Sequence, residues 1–120
     1  MSIGILSNCY FIIILFVINI NSNRTIKANK VIHEEILSEG GITGTVADPR
    51  IIFKLALSHE ATGFIICHNH PSGQLKPSNM DDILTEKIKK GAAYFDIKLI
   101  DHLIVSTEGY YSYAEQSLNW

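Results

Sequence analysis

Cysteine is scarce: Cys9 and Cys67 are the only two in 120 residues, too few for the disulfide framework of a small secreted domain. Both sit inside apolar runs, the usual setting of a buried, reduced thiol, and this favours the cytoplasm. Proline is equally rare, at 3, and with 47% hydrophobic and 18% charged residues the chain reads as globular rather than disordered. An excess of positive charge is also lacking. The net charge is -2 with a pI near 6.2, so no long-range field is expected to draw in nucleic acid or an anionic membrane. Lys87, Lys89 and Lys90 form the one basic cluster and read as a solvated helix face. Internal repeats and low-complexity tracts are missing, and the length fits a single core with a single site.

The most informative absence is acidic: no Asp or Glu occurs before Glu34. The opening, MSIGILSNCYFIIILFVINI, is almost wholly apolar instead. Its core from Cys9 to Ile20 is too short for a bilayer-spanning helix, so no membrane partner is expected. No Lys or Arg precedes that core and no small-residue cleavage site comes after it, which argues against a secretory signal. Its Ile, Val, Phe and Tyr content predicts a buried strand.

The rest of the chain alternates between strand and helix periodicities. A second strand is expected near Val31–Leu37, closed by the turn chemistry of SEGG, and a short extended ITGTV comes next. ADPRIIFKLALSHE reads as a helix: Asp48 is its N-cap, Pro49 its first residue, and Ile51, Ile52, Leu55 and Ala56 its apolar stripe. TGFIIC is a short apolar strand. Ser78 opens a second helix with Ile83, Leu84, Ile88 and Ala92 at helical spacing, and IKLIDHLIVS, TEGY and YYSY read as strand, turn and returning strand. The order implies α/β architecture, a mixed sheet packed by helices.

Between the strand TGFIIC and the second helix lies CHNHPSGQLKPSNMDD, where the chemistry is concentrated. If the extended conformation persists through His68 and His70, both imidazoles project to one side. Asp81 comes eleven residues after His70, on the first turn of the next helix. Two neutral imidazoles and one carboxylate leave a fourth tetrahedral position for water, the pattern of a catalytic zinc site. Ser78-Asn-Met-Asp81 is equally explained as a capping box with Asp in place of the usual Glu or Gln, and Asp82 as a carboxylate favoured by the helix dipole. Cys67 precedes His68 but strand alternation turns it away. The contiguous letters HNH do not match the nucleases of that name, whose motif is dispersed.

The run His68-x-His70, seven residues, Ser78, two residues, Asp81 resembles the JAMM signature of JAB/MPN metallopeptidases. EGGITGTVADPR, CHNHPSG, PSNMDD and DHLIVSTEGYYSYAE resemble the RadC family in particular, from about Asn29 to the C-terminus. The resemblance divides the chain into an atypical apolar segment over 1–28 and a RadC-like JAB/MPN domain over 29–120. It implies a cytidine-deaminase-like fold, Zn2+ held by His68, His70, Asp81 and water, and Ser78 stabilising an oxyanion, although one hydroxyl proton cannot serve two partners. The implied activity is hydrolysis of a peptide or isopeptide substrate. RadC proteins were named for DNA repair, and full-length ones carry a helix-hairpin-helix region that is not expected within these 120 residues.

One expected part has no counterpart. The family places a general-base glutamate before the first core strand, a region that corresponds here to Asn8–Ile18, where no acid stands. Glu34 and Glu35 align with a different pair, after the second strand, and Glu60 is the remaining substitute. Asp101 and His102 match the family's Asp-His step and are expected to support the site or pack the strand.

Overall fold

The computed structural model describes residues 9–20, 26–40, 47–70 and 73–120. The expected ITGTV extension, residues 42–46, lies outside them. The apolar opening forms β1 (Cys9–Ile20), which pairs antiparallel with β2 (Ile26–Gly40), longer than the strand expected from the sequence. Then come α1 (Pro49–Ser58), β3 (Gly63–Asn69), α2 (Asn79–Tyr94), β4 (Lys98–Ser106), β5 (Gly109–Ser112) and a single turn, α3 (Tyr113–Gln116). The five strands make one mixed sheet in the order β2-β1-β3-β4-β5. β3 and β4 are the parallel pair, joined by the α2 crossover, and the other neighbours are antiparallel.

The core lies on one face of this sheet. Phe11, Ile13 and Leu15 of β1 alternate inward beside Phe64 and Ile66 of β3, and Ile52 and Ala56 of α1 and Ile88 and Ala92 of α2 close over them. α1 begins as the sequence predicts: the Asp48 carboxylate accepts from the Arg50 N–H and Pro49 occupies the first turn. Its stripe is displaced, however. Ile51 is exposed, and Phe53 instead packs against the core and edge-on to Phe64.

The α2 stripe is displaced for a reason that bears on function. Its buried residues are Asp81, Thr85, Ile88 and Ala92, whereas Ile83 is exposed. Two polar side chains thus occupy the inward face at successive turns, and Ile83, two residues from each, is turned away from the sheet.

Candidate metal centre

β3 carries Ile66 and His68 on its inward face, and its ladder with β4 continues one residue past the strand through the His70 N–H to the Val105 carbonyl, 2.9 Å. That extra bond keeps His70 on the same side as His68. The Asn69 amide oxygen, between them, accepts from the Tyr10 N–H at 2.7 Å and ties the start of β1 to this end of β3.

Ser78 caps α2 and brings Asp81 to the histidines. Its hydroxyl oxygen accepts from the Asp81 N–H at 3.1 Å, while the Ser78 N–H donates to Asp81 Oδ2 at 2.8 Å, a complete capping box. The cap therefore uses a lone pair of the Ser78 hydroxyl and does not compete for its proton. Asp81 divides its own work between its oxygens: Oδ1 lies 3.2 Å from His68 Nε2, and the capping oxygen Oδ2 lies 3.4 Å from His70 Nε2.

The two Nε2 atoms are 2.9 Å apart. Both imidazoles are engaged at their other nitrogen, His70 Nδ1 with the Gln74 carbonyl at 2.7 Å and His68 Nδ1 with His102 Nε2 at 2.9 Å. Phe11 stacks on the His68 ring, with centroids 4.5 Å apart, which fixes the plane of that ring. His68 and Asp81 are buried and His70 is half-buried. Among the described residues, this is the one group of three or more His, Cys, Asp or Glu side chains able to hold a metal ion, with its donor atoms within 4.8 Å of one another.

The electrostatics fit a cation. Burial alone would raise the Asp81 carboxyl, but its contacts with the His68 imidazole and with the Ser78 backbone N–H hold it well below the usual carboxylate range. His102 is fully buried, and burial above all lowers it to about 3, so at neutral pH it is an uncharged imidazole. Two imidazole nitrogens and one anionic oxygen are donors that could hold a divalent metal ion.

The Asp-His step of β4 splits its roles. Asp101 accepts from the Ser112 hydroxyl at 2.5 Å, the Ala114 N–H at 3.0 Å and the His102 N–H at 2.7 Å, fastening α3 to the sheet. His102 points to the other face, between His68 and Thr85. Thr85 has no motif to mark it, and its position four residues after Asp81 on one helix face is the single cue the sequence holds.

Other candidates are placed elsewhere. Cys67 is buried outside the group, and burial pushes its thiol up to about 11. Glu34 and Glu35 are exposed on edge strand β2, where Glu35 pairs with His33 at 3.0 Å. Glu60 comes after α1 in a turn with φ of 56°, before β3 begins, so the length of that strand separates it from His68.

Comparison with known proteins agrees with this geometry. The family described as the RadC-like JAB domain matches residues 21–118. A UPF0758 protein of Flavobacterium johnsoniae is 50% identical over 91 residues, 76% of this chain and 40% of that protein. UPF0758 proteins of Streptococcus gordonii and Streptococcus sanguinis are 45% and 42% identical over 89 residues, 74% of this chain and 39% of each. The chain thus spans about two fifths of the length of the curated relatives it matches. By the extent of these matches and the five-stranded mixed sheet that carries the His68, His70 and Asp81 group, the chain belongs to the family of RadC-like JAB domains.

Proposed function

We propose that this chain is a zinc-binding domain on the plan of the JAMM metallopeptidases, with His68, His70 and Asp81 as ligands and a peptide or isopeptide as the substrate class. The observation that carries the reading is the convergence of two imidazole Nε2 atoms and the Asp81 carboxylate within 4.8 Å. Zinc bound there would supply a Lewis acid and bring the pKa of a coordinated water toward neutrality. Around it, Ser78 keeps a hydroxyl proton to donate to a developing oxyanion, because its cap is made with a lone pair. A cleft of about 210 Å3, lined among others by Phe11, Pro49, Met80 and Leu84, reaches Asp81 and offers an apolar approach for a polypeptide. A buried thiol at Cys67 suits a cytoplasmic setting. Among the described residues no helix is long and apolar enough to cross a membrane.

The metal-free protein is expected to take up one zinc per chain, with uptake abolished in His68→Ala and Asp81→Ala, as read by metal analysis after gel filtration. Zinc content unchanged in both variants would sink the reading. Peptide hydrolysis that survives chelation would sink its catalytic part.

A second reading, a metal-binding module without hydrolysis, is favoured by one observation. Phe11 lies against His68 on the β1 strand, and no carboxylate precedes Glu34 in the sequence. Under this reading the native chain cleaves no isopeptide, and Phe11→Glu, which sets a carboxylate beside His68, confers zinc-dependent cleavage. Cleavage by the native chain, lost on chelation and regained with zinc, decides for the hydrolase. An accessory role in DNA repair would need salt-dependent binding to branched or single-stranded DNA, against the charge of the chain.

A further inference from the structure

The side chains behind His68 form a chain of hydrogen bonds whose protons can be counted. Thr85 Oγ1 lies 2.7 Å from the Asp81 carbonyl oxygen and 2.7 Å from His102 Nδ1. A carbonyl only accepts, so the single hydroxyl proton of Thr85 is committed to it, the back-bond a helical threonine commonly makes. Thr85 must then accept from His102, a fully buried ring whose two nitrogens face only Thr85 and His68, with no carboxylate at either to support a charge, so its one proton lies on Nδ1. His102 Nε2 is left with a lone pair 2.9 Å from His68 Nδ1, so His68 donates through Nδ1. A neutral His68 therefore keeps its other lone pair at Nε2, the atom facing His70 and Asp81.

The reverse polarity fails at its first step. If Thr85 gave its proton to His102, two buried oxygens would face each other at 2.7 Å with no hydrogen between them. His68 would then carry its proton on Nε2, the wrong nitrogen for a ligand. His70 reaches the same state independently, since its Nδ1 faces the Gln74 carbonyl and must donate to it. Rotation is blocked as well: Tyr113 stacks on His102 at 4.9 Å and 7°, while Phe11 stacks on His68.

We propose that Thr85 and His102 are positioning residues that lock His68 in its Nδ1–H tautomer, so that the centre is set to receive a cation before one arrives. The proposal deepens the zinc reading and rests on it for its purpose, but the tautomer itself can be observed without metal. This matters because the helix turn that presents Asp81 also supplies, through its own carbonyl, the acceptor that starts the relay. One element thereby fixes two of the three ligands.

The test is nitrogen NMR on metal-free protein labelled with 15N-histidine at about pH 8.5, where imidazoles of ordinary pKa are neutral. Long-range proton–nitrogen correlations are expected to show pyrrole-type Nδ1 and pyridine-type Nε2 in both His68 and His102. A pyridine-type Nδ1 in His68 overturns the lock. Thr85→Val is expected to give His68 a population protonated on Nε2 and to weaken zinc binding by about 10–100-fold in competition with a chelator. Thr85→Ser should restore both, and a folded Thr85→Val unchanged in tautomer and affinity overturns the proposal. Zinc uptake with the opposite tautomer refutes the lock alone, whereas the expected tautomers without zinc uptake support the lock and refute the zinc reading.

Discussion

Asp81 combines two demands that look exclusive in the sequence. A helix cap needs an acceptor pointing back at Ser78 N–H, and a metal needs an anionic oxygen pointing at the histidines. A carboxylate has two oxygens, and here Oδ2 makes the cap bond at 2.8 Å while Oδ1 faces His68 at 3.2 Å. Cys67 shows the opposite outcome, a reactive residue type beside the site but barred from it. Its thiol is pushed up to about 11 by burial, so at neutral pH it holds roughly a hundredfold less thiolate than an ordinary cysteine. Alkylation of the folded protein by iodoacetamide at neutral pH is expected to be at least that much slower than in denaturant, as followed by mass spectrometry. Since the raised value disfavours the anion, the rate should climb as the pH approaches 11.

At the scale of elements, the second helix was legible almost to the residue at its start and through Leu84, Ile88 and Ala92, but its inward face also takes in Asp81 and Thr85 and leaves Ile83 exposed. Ser78 as N-cap can be read from the sequence because capping is a local exchange of hydrogen bonds within four residues. Ser78→Ala is expected to lower stability by about 1 kcal/mol in urea unfolding while zinc stoichiometry holds, whereas Ser78→Asp should retain the cap. The inward stripe is hidden in the sequence because it begins with Asp81 and Thr85, polar residues that periodicity assigns to water. Only the histidines of two strands make that face a good place for them. Packing between the helices turns on Gly91, where an added Cβ would meet the Phe53 ring at 2.7 Å. Gly91→Val should cost about 1–3 kcal/mol by overpacking, read as a lower denaturation midpoint with the metal group intact.

For the molecule as a whole, β1 is what joins β2 to the rest of the sheet, pairing with it on one side and with β3 on the other. Ile13, fully buried in it, is expected to cost about 2–5 kcal/mol when cut to alanine. If the centre binds zinc, the folded state gains about 2.7 kcal/mol at a free zinc concentration one hundred times the Kd. Chelation should therefore lower the Tm of the native chain and leave that of Asp81→Ala unmoved.

The order of the five strands and two long helices and the starts of those helices could be read from the sequence, and the His68, His70 and Asp81 group through its resemblance to the JAMM signature. Those features depend on residue spacing, turn chemistry and capping, which act over a few neighbours. The tertiary structure alone decided that Phe11 covers His68, that Glu60 stands a strand's length away, and that Thr85 and His102 close behind the group. Each of these is a contact across the sheet or between helix and sheet. Such contacts depend on strand register and helix rotation, which the buried face of the whole fold sets and no local run of residues records.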